Sequence, residues 1–154
     1  MKRKEMLIIA ALRQNSRKSL TQLSKEIKIP ISTLHEKIES YKNNLIKKNT
    51  AIIDFEKIGY NTRANVLLKI ERDKRQELQE YLSKCHNVNC LLKVNNGFDF
   101  LVEFIFEHIK ELEDFMEILE QKFPILNRET YYIIDDLKRE EFMANPQLIA
   151  MNAE

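Results

Sequence analysis

Residues 26–38, EIKIPISTLHEKI, read as helix on both sides of a proline. The chain has only three prolines and two glycines, so Pro30 inside an amphipathic pattern is meaningful punctuation. Proline disfavours helical geometry in the residue before it, here Ile29. It is tolerated in the first turn of the next helix, where its missing N–H has no partner to lose. The segment therefore predicts two brief helices joined by a short turn, the first ending near Lys28.

On the N-terminal side, Ser19 opens the run SLTQ, a Ser-x-x-Gln capping box. Ser19 can accept from a free N–H of the new helix, and Gln22 can reach back. Leu20, Leu23 and Ile27 form that helix's apolar face. An earlier helix is expected over Lys2 to Arg13, with Met6, Ile9, Ala10 and Leu12 apolar and Ile8 flanking; the polar run QNSRKS ends it. On the C-terminal side, Leu34, Ile38 and Tyr41 recur at i, i+4, i+7. At ~100° per residue, Ser32, Glu36, Ser40 and Asn43 fall roughly opposite, with Thr33 and Lys37 on one flank and His35 and Glu39 on the other. Three short helices, the last two closely joined, outline a helix-turn-helix. The following LIKKNTAIIDF, apolar and β-branched around Lys47-Lys48, is expected to be an extended wing or linker strand.

The charge is divided along the chain. The net formal charge is only +1, yet residues 1–50 hold 12 Lys and Arg against 4 Asp and Glu, while the rest hold 13 against 20. A module of +8 joined to one of −7 points to a basic unit that meets a polyanion and an acidic unit that does not.

The second half changes period. RANVLLKIE alternates Ala64, Val66, Leu68 and Ile70 at period two, a strand. DKRQELQEYLSKC places Leu78, Tyr81, Leu82 and Cys85 at helical spacing. VNCLLKV and FDFLVEFIF flank the turn NNG as a hairpin. HIKELEDFMEILEQKF carries Ile109, Leu112, Phe115, Met116 and Leu119 on one stripe, stopped by Pro124, and RETYYIID is a final strand. The order β-α-β-β-α-β is the ferredoxin-like pattern, so the fold class is α+β. Phe100, Val102, Phe104 and Phe106 lie on one side of this strand and Leu101 and Ile105 on the other; two helices would cover one sheet face, and sheet-to-sheet pairing of two chains would bury the second. The domains expected are 1–50 (helix-turn-helix), 51–61 (linker strand), 62–137 (β-α-β-β-α-β) and 138–154 (a tail with weak helical character around Glu140 to Met143).

Several function classes are disfavoured. Cys85 and Cys90 match no zinc spacing and no redox CxxC, and three dispersed histidines, His35, His86 and His108, suggest no metal site. No nucleophile elbow, Walker loop or paired-carboxylate motif appears. No apolar run is long enough to span a membrane and no signal-peptide pattern opens the chain. The expectation is a cytoplasmic protein that is not an enzyme and carries no cofactor.

Over residues ~5 to ~137 the layout resembles the leucine-responsive regulator/AsnC family of transcriptional regulators. NSRKSLTQLSKEIKI is similar to the family's N-A-R and following second helix through Asn15, Arg17 and Leu23. STLHEKIESY resembles S-T-V-x-x-R-I-x-x-L through Ser32, Thr33, Leu34, Lys37, Ile38 and Tyr41. NLIKKNTAIIDFEKIG is similar to the family's linker through Ile46, Ala51, Asp54, Ile58 and Gly59. VNNGFDFL stands where the family has V-T-G-x-x-D-x-L, keeping Val94, Asp99 and Leu101. Lys28-Ile29-Pro30 replaces the family's Gly-Leu-Ser, which leaves Ser32 or water to serve the third helix's start. Asn44 replaces a turn glycine, and Asn95-Asn96 replaces the effector loop's Thr-Gly.

Module shape, charge and resemblance together imply double-stranded DNA as partner. Phosphate contacts are expected from Arg17, Lys18, Lys25, Lys28, Lys42, Lys47 and Lys48. Base reading is expected from Ser32, Thr33, His35, Glu36, Lys37 and Ser40, with Lys37 reaching guanine O6/N7 and Glu36 accepting from cytosine N4. The resemblance also implies a homodimer, with tetramers or octamers as larger assemblies, and a small amino-acid-like effector at Asn95, Asn96, Gly97 and Asp99. The plainer reading of that loop is a hairpin turn whose Asn and Gly supply positive φ. Two other functions are compatible with the same layout. One is an architectural DNA-coating protein without an operator. The other is an enzyme like the siroheme decarboxylases, which share the two-module layout and would place weight on the histidines.

Overall fold

A computed structural model of the chain describes residues 3–151. The helices and strands run α1 (Arg3–Gln14), α2 (Leu20–Ile27), α3 (Ile31–Asn44), β1 (Thr62–Ile70), α4 (Arg75–Ser83), β2 (Val88–Lys93), β3 (Phe100–Phe106), α5 (Ile109–Lys122), β4 (Ile125–Tyr132) and α6 (Pro146–Met151). They form two compact units. One takes the chain up to Ile52 together with Leu137 onward; the other is Ile53–Asp136.

In the first unit, Ile8, Ala11, Leu23, Ile29 and Leu34 form a buried cluster, with Leu12, Leu20, Ile27, Ile38 and Tyr41 packed against it. The capping box forms: Gln22 N–H donates to Ser19 Oγ at 3.2 Å and Ser19 N–H to Gln22 Oε1 at 3.0 Å. Lys28 turns left-handed at φ 53°, which drops Ile29 into the core. Pro30 is the N-cap of α3 rather than a first-turn residue, and no side chain, Ser32 included, caps this helix. α1 buries Ile8, Ala10 and Ala11, so Ala10 lies inside as expected while Ile8, given only a flanking place, is buried and Ile9 is not. The run MLIIAAL is apolar all round, so its own pattern does not choose a face; the packing of α2 and α3 does.

Two expectations outside the helices are corrected. Residues 45–55 form no strand; the N–H groups of Leu45 and Ile46 both return to Tyr41 O, and the chain then runs irregularly to a 3-10 turn at Glu56–Ile58. Strand propensity without a neighbouring edge to pair with makes no ladder. The tail's helix is α6, not Glu140 to Met143. Glu140 and Met143 are left-handed (φ 54° and 56°), which no helix continues through. Asn145 Oδ1 instead accepts from Gln147 N–H at 2.9 Å, with Pro146 in the first helical position. Arg13 of α1 holds this tail: it donates to Phe142 O at 2.6 Å, Glu140 O at 3.1 Å and Glu140 Oε2 at 3.0 Å.

The second unit is an antiparallel four-stranded sheet of order β2-β3-β1-β4. Thr62, Ala64, Val66, Leu68 and Ile70 of β1 all point to the helical layer. There they meet Phe100, Val102, Phe104 and Phe106 of β3 with Leu78, Leu82, Leu112, Met116, Leu119 and Phe123. Ile109 departs from the expected stripe: it is 56% exposed at the start of α5. The last strand is also earlier than RETYYIID. It pairs with β1 from Ile125 to Tyr132 and is spent once Ile133 N–H reaches Arg63 O, because β1 has ended. Ile134 beyond it is exposed.

The opposite sheet face is mixed. Leu67 and Leu101 sit side by side across β1 and β3, with exposed Leu92 opposite Leu101 on β2. Glu103 on that face takes Arg63 and Asn89 as partners. Ile105, on the side away from the helices, is only 7% exposed within this one chain. It lines a cleft with Phe55, Ile58, Tyr60 and His86.

Candidate nucleic-acid interface and hairpin loop

Every residue expected to touch DNA lies in the first unit, between Arg17 and Lys48. Leu34 is fully buried and Ile38 and Tyr41 pack behind it, so α3 turns Ser32, Thr33, His35, Glu36 and Ser40 outward, all of them exposed. Arg17, Lys25, Lys28, Lys42, Lys47 and Lys48 are exposed as well.

Three lysines of the set have partners inside the unit. Lys18 Nζ lies 2.7 Å from Glu26 and 3.3 Å from Gln14 Oε1. Lys42 lies 2.6 Å from Glu39, one turn back on α3; its hydrogen bond holds the Glu39 carboxyl below the usual carboxylate range. The Lys42–Glu39 pair is exposed and worth about 0–1 kcal/mol, so a phosphate can displace its carboxylate, whereas the Lys18 side chain is only 20% exposed. Lys37 differs. It is half-buried and donates to Glu5 Oε1 of α1 at 2.9 Å, and this hydrogen bond, then the carboxylate's charge, raises its pKa. Lys37 is therefore engaged sideways with α1 rather than extended with the outward set.

In the second unit, the hairpin loop has the geometry of a tight turn. Asn96 and Gly97 take φ 61° and 92°, the left-handed region that Asn and Gly tolerate, and Val94 N–H closes the turn on Asp99 O at 3.0 Å. Asn95, Asn96 and Gly97 are exposed, but Asp99 is only 7% exposed. Its Oδ2 accepts Ile70 N–H at 3.0 Å, its Oδ1 lies 2.8 Å from Arg75 Nε, and Lys69 Nζ stands at 3.8 Å. The carboxylate is thus occupied by its own chain. Glu5, Lys69 and Arg75 were not singled out from the sequence, and no local pattern marks them; each is recognisable only by what it touches.

The histidines lie on different elements. His35 is on α3, His86 borders the cleft under Phe55 and Tyr60, and His108 precedes α5. Among the described residues, exposed Glu107, His108 and Glu111 place ligand atoms within 4.8 Å of one another. No helix among them is long and apolar enough to cross a membrane.

No protein-family model matches the chain. The HTH-type transcriptional regulator FL11 of Pyrococcus horikoshii is 30% identical over 113 residues, spanning 73% of this chain and 75% of that protein. FL11 of Pyrococcus furiosus is 28% identical over the same shares. Among solved structures, Bacillus subtilis LrpC superposes with a TM-score of 0.79 at 19% identity, covering 90% of this chain and 97% of that one. A Neisseria meningitidis transcriptional regulator in complex with L-Met gives 0.82 at 14% identity, covering 90% and 93%.

Proposed function

Because the chain belongs to the leucine-responsive regulator/AsnC family of transcriptional regulators, and so is a DNA-binding regulator rather than an enzyme, we propose that α3 is its recognition helix and lies in the major groove. The observation that carries this reading is the outward side of α3, where Ser32, Thr33, His35, Glu36 and Ser40 are exposed together above a buried Leu34. Glu36 suits the N4 donor of cytosine, the hydroxyls suit several base edges, and surrounding phosphates are met by Arg17, Lys18, Lys25, Lys28, Lys42, Lys47 and Lys48. These contacts operate in the cytoplasm.

The second unit supplies the dimer. Leu67, Leu92 and Leu101 form an apolar patch on the sheet face that the helices leave open, and a second copy meeting it face to face buries all three. Two recognition helices then address half-sites one helical turn, or a multiple, apart. Larger assemblies, tetramers or octamers, build from that pair. An amino-acid-like effector fits the exposed loop Asn95–Gly97, taking polar contacts from its amides. The place expected for Asp99 among the effector residues falls away in this reading, since Ile70 and Arg75 hold its carboxylate.

The test is selection of bound duplexes from a random pool at near-physiological salt. An inverted repeat is expected, and its spacing measures the separation of the recognition helices. Binding without any motif would replace operator recognition with architectural coating of DNA. Leu101→Lys is expected to give a monomer by sedimentation; an unchanged dimer would remove the sheet face as its interface.

A further inference from the structure

We infer that Glu5 of α1 is a positioning residue for base recognition: it holds Lys37 and so sets the rotation at which α3 offers its outward side chains. The inference rests on the proposed role of α3 and adds a residue outside the helix-turn-helix pair to it.

The anchoring of α3 has two components of different character. Leu34, Ile38 and Tyr41 bury against α1 and α2, and apolar burial is non-directional; a helix held only this way can roll on its bed. The Glu5–Lys37 contact is a charge-assisted hydrogen bond of 2.9 Å linking two helices across 32 positions of sequence, and a hydrogen bond, unlike apolar burial, has a preferred distance and angle. The Glu5 carboxylate is the more covered partner, its side chain 24% exposed against 44% for Lys37. Its influence extends to Tyr41, one turn further along α3. Burial raises the phenol's pKa, and the Glu5 charge raises it further. Glu5 thus faces the side of α3 adjoining its buried stripe. Base contacts tolerate displacements of only about 0.5 Å and 10–20°.

The sign of the effect separates positioning from simple charge. Glu5 is an anion in a unit that meets a polyanion. Deleting it should tighten binding to every duplex if electrostatics alone acts. Positioning predicts loss on the specific site.

The experiment measures Kd for the wild-type full chain, Glu5→Ala, Glu5→Gln and the charge swap Glu5→Lys/Lys37→Glu. Each is assayed on the selected site and on a scrambled duplex at one salt concentration, with circular dichroism checking the fold. Expected for both single variants is about tenfold weaker specific binding, with scrambled-duplex binding unchanged or slightly tighter. The swap rebuilds the pair and restores the specific affinity. Three results overturn the proposal: equal tightening on both duplexes, an unchanged ratio of the two affinities, or a swap weaker than Glu5→Ala. The last would mean that Lys37 itself contacts DNA. Ser32→Ala and His35→Ala run alongside. If they leave base preference untouched, the α3 reading fails, which is distinguishable from a failure of the Glu5 role alone.

Discussion

Asp99 accepts the backbone N–H of Ile70 from within the sheet, at 3.0 Å. Ile70 is where β1 loses register with β4, the pairing jumping from Lys69↔Asn127 to Ile70↔Ile125. The carboxylate thus serves a donor at the irregular end of the strand, while Arg75 at the start of α4 answers its charge. Asp99→Ala is expected to destabilise the protein by roughly 1–3 kcal/mol, the cost of stranding a buried donor. Asp99→Asn keeps an acceptor for Ile70 and should cost less. Urea unfolding of the two variants checks the order; equal, negligible losses would make the carboxylate dispensable to the fold.

Arg13 binds two carbonyls and a carboxylate of the tail, and the tail around them contains the left-handed Glu140 and Met143. Arg13→Ala is expected to release residues 138–145 while costing only about 1 kcal/mol, because the groups are largely exposed. Limited proteolysis should show faster cleavage in that stretch at nearly unchanged melting temperature. Unaltered cleavage would mean that α6 alone secures the tail.

Lys47 and Lys48 lie beyond α3 in an irregular, exposed segment. Replacing both with Ala should weaken binding to all duplexes alike and flatten the plot of log K against log salt by about one to two, the slope carried by one or two phosphate contacts. Parallel plots for variant and wild type would take these lysines off the DNA.

Alkaline stability follows from α1 and α3. Glu5 lifts Lys37 above its ordinary 10.5, by hydrogen bond first and charge second; burial, and then Glu5, lifts Tyr41 above its ordinary 10.0. In both cases the folded chain keeps a proton that the unfolded chain has released. Their contribution is intact below the unfolded values and is lost as pH rises through the folded ones. Melting temperature should therefore fall more steeply above about pH 10 in the wild type than in Glu5→Gln. Matching slopes would show that the pair does not couple to folding.

Most of the architecture was legible because it is written locally. The Ser19–Gln22 box, the break at Pro30 and the alternation of β1 each depend on residues a few positions apart, and each stands in the structure as read. The linker was misread for the complementary reason. TAIIDF has strand composition, but a strand exists only beside an edge, and none pairs with it here. The candidate base-reading set lies on the side of the α3 wheel opposite its apolar stripe and on both flanks, except that Lys37 is drawn aside by a residue on another helix.

Local sequence carries the order of elements from α1 through α3 and from β1 to β4, the basic and acidic halves, and the outward side of α3, since periodicity and charge are properties of short windows. Tertiary structure alone decided which polar groups are spoken for. Glu5 with Lys37, Arg13 with Glu140 and Arg75 with Asp99 are pairs distant in the chain. A hydrogen bond forms only within about 3 Å, a distance set by how the helices and strands pack and not by any spacing along the chain.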